Sequence, residues 1–146
     1  MGGTVTWTGA DGSNPTHHDV AANWSAGAGG TAPPAADDHV IIPNVTNDPV
    51  LQDHDAWGSL IINSGGDLDG NGKTLTLAST ADANTFRWDG TISGNLDVTI
   101  TGGDDIVVAN GTSAYKAIAT TPIFNIGLSA VAATGGTKIN AYLMAD

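Results

Sequence analysis

Short runs of alternating apolar and polar residues, separated by turns rich in Gly, Asn and Asp, extend along most of this chain. Such period-2 runs are typical of half-buried β-strands, and these turn residues commonly separate strands. The pattern predicts strands at residues 4–8, 39–43, 49–51, 59–62, 67–69, 74–77, 86–88, 90–92, 96–100, 106–108, 122–126 and 137–144. It places Ile61 and Leu75 among the core residues and indicates an all-β protein.

The spacing of the strands favours a particular β architecture. Strands of similar length return at intervals of roughly 20 to 26 residues, which is typical of stacked repeats. We therefore expect a short β-solenoid, also called a β-helix, of two or three rungs, in which each rung covers the apolar side chains of the next. A β-sandwich or jelly roll of short strands would give a similar pattern and is the alternative.

Three zones follow one another in what we expect to be one structural domain. Residues 1–38 form an N-terminal strand and an extended arm, in which Trp24 is expected to anchor residues 9–36. Residues 39–113 form the β core. Residues 114–146 end in apolar strands that either cap this core or pair with a partner subunit.

The composition agrees with the fold class and limits the partners. Charged residues make up only 13% of the chain and Glu is absent, whereas helix surfaces are usually filled with Glu, Lys, Arg and Gln. The formal net charge of −11 disfavours binding to nucleic acid or to anionic membranes. No apolar run approaches membrane-spanning length, and the first residues resemble no secretory signal. We expect synthesis and use without the secretory route.

One motif resembles the first half of a calcium-binding loop. Asp67, Asp69 and Asn71 alternate before Gly72, which would place oxygens at positions suited to a hard cation. The carboxylate that closes such loops is missing, because Ala78 stands at its position. A turn between two strands explains the same residues. We keep these three residues as a weak calcium candidate and expect no cofactor.

No other pattern indicates a metal or catalytic site. The four histidines lack zinc-ligand spacing, no Cys is present, and we expect exposed loop histidines at His17, His18, His39 and His54. Asp104 and Asp105 are adjacent and would point to opposite faces of a strand. No nucleophile elbow occurs and Arg87 is the only Arg. We expect that the protein is not an enzyme.

The four tryptophans allow two interpretations. They could form a platform on which sugar rings stack, but in a chain with two Phe and two Tyr they are more typical of core anchors. The core interpretation is preferred for Trp7, Trp24, Trp57 and Trp88.

Several phrases resemble a known group of proteins. Residues 6–9, Asn23-Trp24 and residues 37–43 look like the opening of bacterial and viral β-solenoid surface proteins, and residues 57–62 and 72–77 resemble their rungs. This resemblance covers residues 4 to about 100 and implies a β-solenoid fold, on which many functions occur. In size, acidity and Gly/Thr/Ala content, the chain is similar to decoration (cement) proteins of tailed-phage capsids.

The second resemblance implies a virion structural protein. Such a protein would be made in the cytoplasm of a bacterial host, sit as a homotrimer on the outer capsid surface and stabilise the phage head through contacts with the major capsid protein. The candidate contact residues are Trp24, Tyr142, Leu143 and Met144. The alternative is a carbohydrate-binding or adhesive module of a cell surface or phage fibre. A lyase or hydrolase fragment has little support.

Overall fold

A computed structural model describes residues 2–78, 86–100, 108–109 and 123–126. This part of the chain is all-β, as the sequence predicts, and its one helical element is a 3-10 turn at Ala21–Asn23. The twelve strands are β1 (Thr4–Trp7), β2 (Trp24–Ala26), β3 (His39–Ile42), β4 (Asp55–Trp57), β5 (Ser59–Ile62), β6 (Asp67–Asp69), β7 (Lys73–Leu77), β8 (Phe86–Trp88), β9 (Thr91–Ser93), β10 (Leu96–Ile100), β11 (Val108–Ala109) and β12 (Ile123–Ile126).

The strands form three sheets in a repeating order. The sheets have the orders β11-β8-β5-β3-β1-β2, β12-β10-β7-β4 and β6-β9. From β3 onward, consecutive strands enter different sheets, so that β5, β6 and β7 are followed by β8, β9 and β10 in the same sequence of sheets. Each of these strands pairs in parallel with its counterpart in the next repeat. Among the described strands, only β1 and β2 pair antiparallel.

The register stacks apolar side chains of one repeat on those of the next. Leu60 lies opposite both Val40 and Phe86, and Leu75 lies opposite Val98. The first four of these side chains are completely buried. Burying a side chain of this size stabilises the fold by roughly 1.5–3 kcal/mol, so each of these stacked pairs contributes to stability.

The structure corrects the expectation that Ile61 lies in the core. Ile61 pairs with Ile41 and Arg87, and its side chain is only half-buried, whereas Leu60 and Ile62 on either side are completely buried. The placement of Ile61 in the core was therefore wrong. Successive side chains of a strand point to opposite faces of the sheet, so three consecutive apolar residues cannot all face the core.

The close approach of two successive turns explains why a glycine occupies position 90. A Cβ atom at Gly90 would lie 2.2 Å from the carbonyl oxygen of Gly66, which occupies the corresponding turn one repeat earlier. Gly90 N also lies 3.3 Å from the carbonyl oxygen of Ile62. A side chain at Gly90 would push the two turns apart.

A buried carboxylate fixes the return of the N-terminal arm to the core. Asp38 accepts hydrogen bonds from the backbone N–H groups of Gly3 (3.0 Å), Thr31 (3.0 Å) and Ala35 (2.8 Å) and from the Thr31 hydroxyl (2.7 Å). Burial alone would raise the pKa of this carboxyl, but these hydrogen bonds outweigh burial and lower it. The ionised form therefore stabilises the connection between the arm and β1.

Apart from shifts of one residue at strand ends, the strands differ from the prediction in three places. The arm contains β2, and β4 was not predicted, because three-residue strands give too few alternations to recognise. The predicted strand at residues 49–51 is reduced to isolated bridges at Val50. Of the strand predicted at residues 106–108, the described residues include Val108, which forms β11 with Ala109. The strand predicted at residues 137–144 lies outside the described residues.

Candidate functional site: the N-terminal end of the core

Trp24 closes the end of the core that comes first in sequence. Its ring centroid lies 4.7 Å from that of Trp7 and 6.0 Å from that of Trp57, and both pairs meet edge to face. Its indole N–H donates to the carbonyl oxygen of His18 at 2.6 Å, and its side chain is only 6% exposed. Trp24 thus anchors the arm to the core of the same chain.

His18 lies in the same arm and is 3% exposed. Its Nδ1 accepts a hydrogen bond from the backbone N–H of Gln52 at 2.9 Å. In the neutral ring the proton therefore resides on Nε2, which lies 3.4 Å from Oδ2 of Asp55. The expectation of an exposed loop histidine was wrong for His18, because its two ring nitrogens join the arm to the core.

The carboxylate of Asp55 connects three parts of this end. Oδ2 accepts the indole N–H of Trp57 at 2.8 Å, and Oδ1 accepts the backbone N–H of Ala56 at 2.8 Å. Asp55 lies opposite the buried Leu75 in the parallel pair of β4 and β7, which places it at the end of an inward-facing row. A charged residue thus terminates an apolar column. Trp7, His18, Trp24, Asp55 and Trp57 are called the closing cluster below.

Asn23 holds the loop before β2 in place and is completely buried. Its Nδ2 donates to the carbonyl oxygens of Asn14 (2.7 Å) and His17 (2.9 Å), and its Oδ1 accepts the N–H of Asp11 (2.8 Å). These bonds satisfy backbone groups that the irregular loop would otherwise leave without partners. Asn23 therefore supports the position of the adjacent Trp24.

The other histidines lie in more accessible places. His54 is exposed, while His17 and His39 are half-buried. The expectation of an exposed loop histidine was also wrong for His39, which is the first residue of β3. Nδ1 of His54 accepts the backbone N–H of Thr74 at 2.9 Å, and Nδ1 of His39 lies 2.9 Å from the Ser59 hydroxyl oxygen. Within the part of the chain that the structure describes, no group of three or more His, Asp or Glu residues is arranged to hold a metal ion.

The weak calcium candidate forms a turn between β6 and β7. Oδ1 of Asp69 accepts the backbone N–H of Asn71 at 2.8 Å, and the Asn71 side chain donates to the carbonyl oxygen of Leu51 at 2.9 Å. Asn71 and Gly72 have φ angles of 46° and 70°, in the left-handed region that Asn and Gly tolerate. These contacts account for Asp69 and Asn71 without a cation.

Asp67 has a different environment from Asp69. Its backbone N–H donates to Oδ1 of Asp48 at 3.1 Å, whereas its own Oδ1 is buried without a hydrogen-bond partner. Burial raises the pKa of the Asp67 carboxyl and the charges of Asp48 and Asp69 raise it further, although a hydrogen bond with Ser93 opposes them. The ionised form of Asp67 is therefore unfavourable in the folded chain.

The tryptophans do not form a surface platform in the described part of the chain. Trp7 and Trp57 are completely buried and Trp24 is nearly so, as the core interpretation predicts. Trp88 lies in β8 opposite Ile62. Stacking on a sugar would require exposed ring faces, which Trp7, Trp24 and Trp57 do not offer in this arrangement.

Some of the remaining candidate contact residues lie outside the part of the chain that the structure describes. Trp24 packs inside its own chain, and its contact with a partner stays a prediction. Tyr142, Leu143 and Met144 lie outside the described residues, as do Asp104 and Asp105. Sequence reasoning missed Asp55 and Asn23. The alternation of Asp55 with Trp57 is the one signal that could have placed that carboxylate on an inward face.

Comparisons with known proteins add no relationship. No family model, no curated protein and no solved structure matches this chain. Among the described residues, no helix has the length and apolar character needed to cross a membrane.

Proposed function

We propose that the chain is a short β-solenoid that serves as a structural module rather than an enzyme. The three sheets would be its faces, and β5–β6–β7 and β8–β9–β10 would be two successive rungs. Parallel pairing between repeats supports this proposal, because sandwiches and jelly rolls are built mainly from antiparallel pairs. The antiparallel strand β2 would belong to a cap that ends the stack, as terminal repeats of solenoids do.

The proposed role is capsid decoration: the chain would bind the major capsid protein of a tailed phage and stabilise the head. The observation that carries this proposal is the closing cluster, which completes one end of the core from the chain's own arm. A stack that is finished at one end presents its opposite end to partners. Association there as a homotrimer would match a local threefold axis of a capsid lattice.

The apolar C-terminal sequence supplies candidate contacts. Residues 139–144 carry no charge, and Tyr142, Leu143 and Met144 form the most apolar part of this terminus. Aromatic residues and Met are enriched in protein interfaces. We propose that these side chains take part in the trimer or in the contact with the capsid.

A binding assay tests the decoration proposal. Purified protein would be mixed with assembled capsids of the encoding phage that lack it, and the capsids would then be sedimented. Saturable co-sedimentation and a trimer in analytical ultracentrifugation are expected. Leu143→Asp should weaken capsid binding at least tenfold if this residue lies in the interface. Thr4→Asp is the matched control, because Thr4 is exposed in β1, and it should bind like the unmodified protein.

The alternative function predicts a different result in the same assay. A stable monomer that does not sediment with capsids but binds a polysaccharide would contradict the decoration proposal and support a carbohydrate-binding module. The burial of Trp7, Trp24 and Trp57 weighs against this alternative, because it removes three of the four candidate stacking rings from the surface.

A further inference from the structure

Strand β4 is an edge strand whose unpaired side is blocked by its own chain. It pairs with β7 on one side, and no described strand pairs with it on the other. The carbonyl oxygen of Trp57 points towards β7, since it accepts the N–H of Ala78 at 3.1 Å. Backbone groups of successive strand residues point to opposite sides, so the N–H of Ala56 points towards the unpaired edge. That N–H is the donor an added strand would need.

The Asp55 carboxylate already accepts a hydrogen bond from this N–H. Its Oδ1 accepts the Ala56 N–H at 2.8 Å, while its Oδ2 accepts the Trp57 indole N–H at 2.8 Å. The side chain is thus held at both oxygens, and His18 Nε2 lies 3.4 Å from Oδ2 on the arm side. An incoming strand would have to displace a carboxylate that already has partners.

The arm adds a second barrier at the same edge. His18 accepts a hydrogen bond from the Gln52 N–H and is nearly completely buried, so it cannot leave without breaking that hydrogen bond. Trp24 covers Trp57 from the arm side, with the ring centroids 6.0 Å apart. The arm therefore supports the Asp55 carboxylate at this edge.

We propose that Asp55, with His18, prevents β4 from pairing with the β4 edge of a second copy of this chain. A second copy is the natural partner for an unblocked edge, because two identical edges can pair antiparallel about a twofold axis. The block directs association away from the N-terminal end of the core. This inference goes beyond capsid decoration, because it concerns which contacts the protein avoids.

Asp55→Ala tests the block. The expected result is a concentration-dependent species of at least twice the mass of the unmodified protein in sedimentation velocity. Asp53→Ala is the matched control, since it removes the same charge from an exposed residue two positions away. The control should sediment like the unmodified protein. An Asp55→Ala protein that stays folded and keeps the unmodified size would overturn the proposal.

A second substitution distinguishes edge pairing from general loss of solubility. Proline lacks the backbone N–H, so Ala56→Pro in the Asp55→Ala protein removes the donor that a second copy would use. The double variant should return to the size of the unmodified protein. Persistence of the larger species in the double variant would contradict pairing through β4.

Hydrogen exchange keeps the proposal testable if Asp55→Ala does not fold. In the unmodified protein, the Ala56 amide should exchange at least tenfold more slowly than exposed loop amides, because Asp55 and the arm cover it. Exchange of the Ala56 amide at the rate of an exposed loop amide would show that the edge is open and would contradict the block.

Discussion

The indole N–H of Trp24 donates to the carbonyl oxygen of His18 at 2.6 Å, six residues earlier in the arm. Trp24 covers Trp7 and Trp57. His18 contacts Asp55 and Gln52, so the bond links these two sets of contacts. The aromatic and polar parts of the closing cluster therefore depend on each other. The N-terminal arm, although largely irregular, has a fixed position on the core.

Trp24→Ala should destabilise the protein by about 3–5 kcal/mol, the usual range for removing a buried Trp. The substitution removes both ring contacts and leaves the His18 carbonyl oxygen without its indole donor. Denaturant unfolding measures the stability, and limited proteolysis should cut residues 9–23 faster. Ser25→Ala is the control, because Ser25 is exposed in the same strand. Equal stability of the Trp24→Ala and control proteins would contradict this role.

Leu75→Ala should lower the free energy of unfolding more than Ile61→Ala, because the two residues lie on opposite faces of their strands. Leu75 is completely buried between β4 and β10, so its truncation should cost about 2–5 kcal/mol. Ile61 is half-buried on the outward face, and its truncation should cost about 1 kcal/mol or less. Denaturant unfolding of the two variants gives both values. A larger loss for Ile61 than for Leu75 would mean that the strand faces are inverted.

Asp38→Asn should destabilise the protein by about 1–3 kcal/mol at neutral pH, because an amide replaces a carboxylate that accepts four hydrogen bonds. The pKa of Asp38 is lower in the folded chain than in the unfolded chain. Its stabilising contribution is therefore present above the unfolded pKa and is lost as the pH falls through the folded pKa. The difference from the unmodified protein should shrink in strong acid. Asp53→Asn, at an exposed residue, is the control.

Asp67→Asn should have the opposite effect and stabilise the protein slightly at neutral pH. The pKa of Asp67 is raised in the folded chain, so folding favours its protonated form. Ionisation of Asp67 therefore lowers stability as the pH rises from the unfolded pKa through the folded pKa. Thermal unfolding from acid to neutral pH should show the gain growing across that window. A loss of stability at neutral pH would show that the carboxylate has a stabilising partner.

Calcium should leave the melting temperature unchanged. Asp69 and Asn71 already have partners within the chain, and no described carboxylate cluster is arranged for a metal. Melts with calcium and with a chelator should coincide. A ligand that binds only the folded protein raises its stability, so a clear rise in melting temperature with calcium would contradict this expectation.

The sequence by itself determined the all-β fold class and most strand positions. Alternation of apolar residues with Thr, Asp and Lys identifies strands such as Lys73–Leu77 and Leu96–Ile100, because period 2 is a local property of the chain. Asn71 and Gly72 likewise identify their turn, since their left-handed φ angles are intrinsic preferences. The anchoring role of Trp24 also follows from local reasoning: it is a large apolar residue in a polar arm.

The tertiary structure alone decided which residues close the core. Asp55 and His18 are 37 positions apart, and nothing in either neighbourhood indicates that their side chains lie 3.4 Å from each other. The position of Asp55 on an edge strand depends on the pairing of β4 with β7, which local patterns do not encode. The environments of Asp38 and Asp67 differ for the same reason. Gly3, 35 positions before Asp38, supplies one of its four donors beside Thr31 and Ala35, whereas the fold leaves Oδ1 of Asp67 buried without any donor.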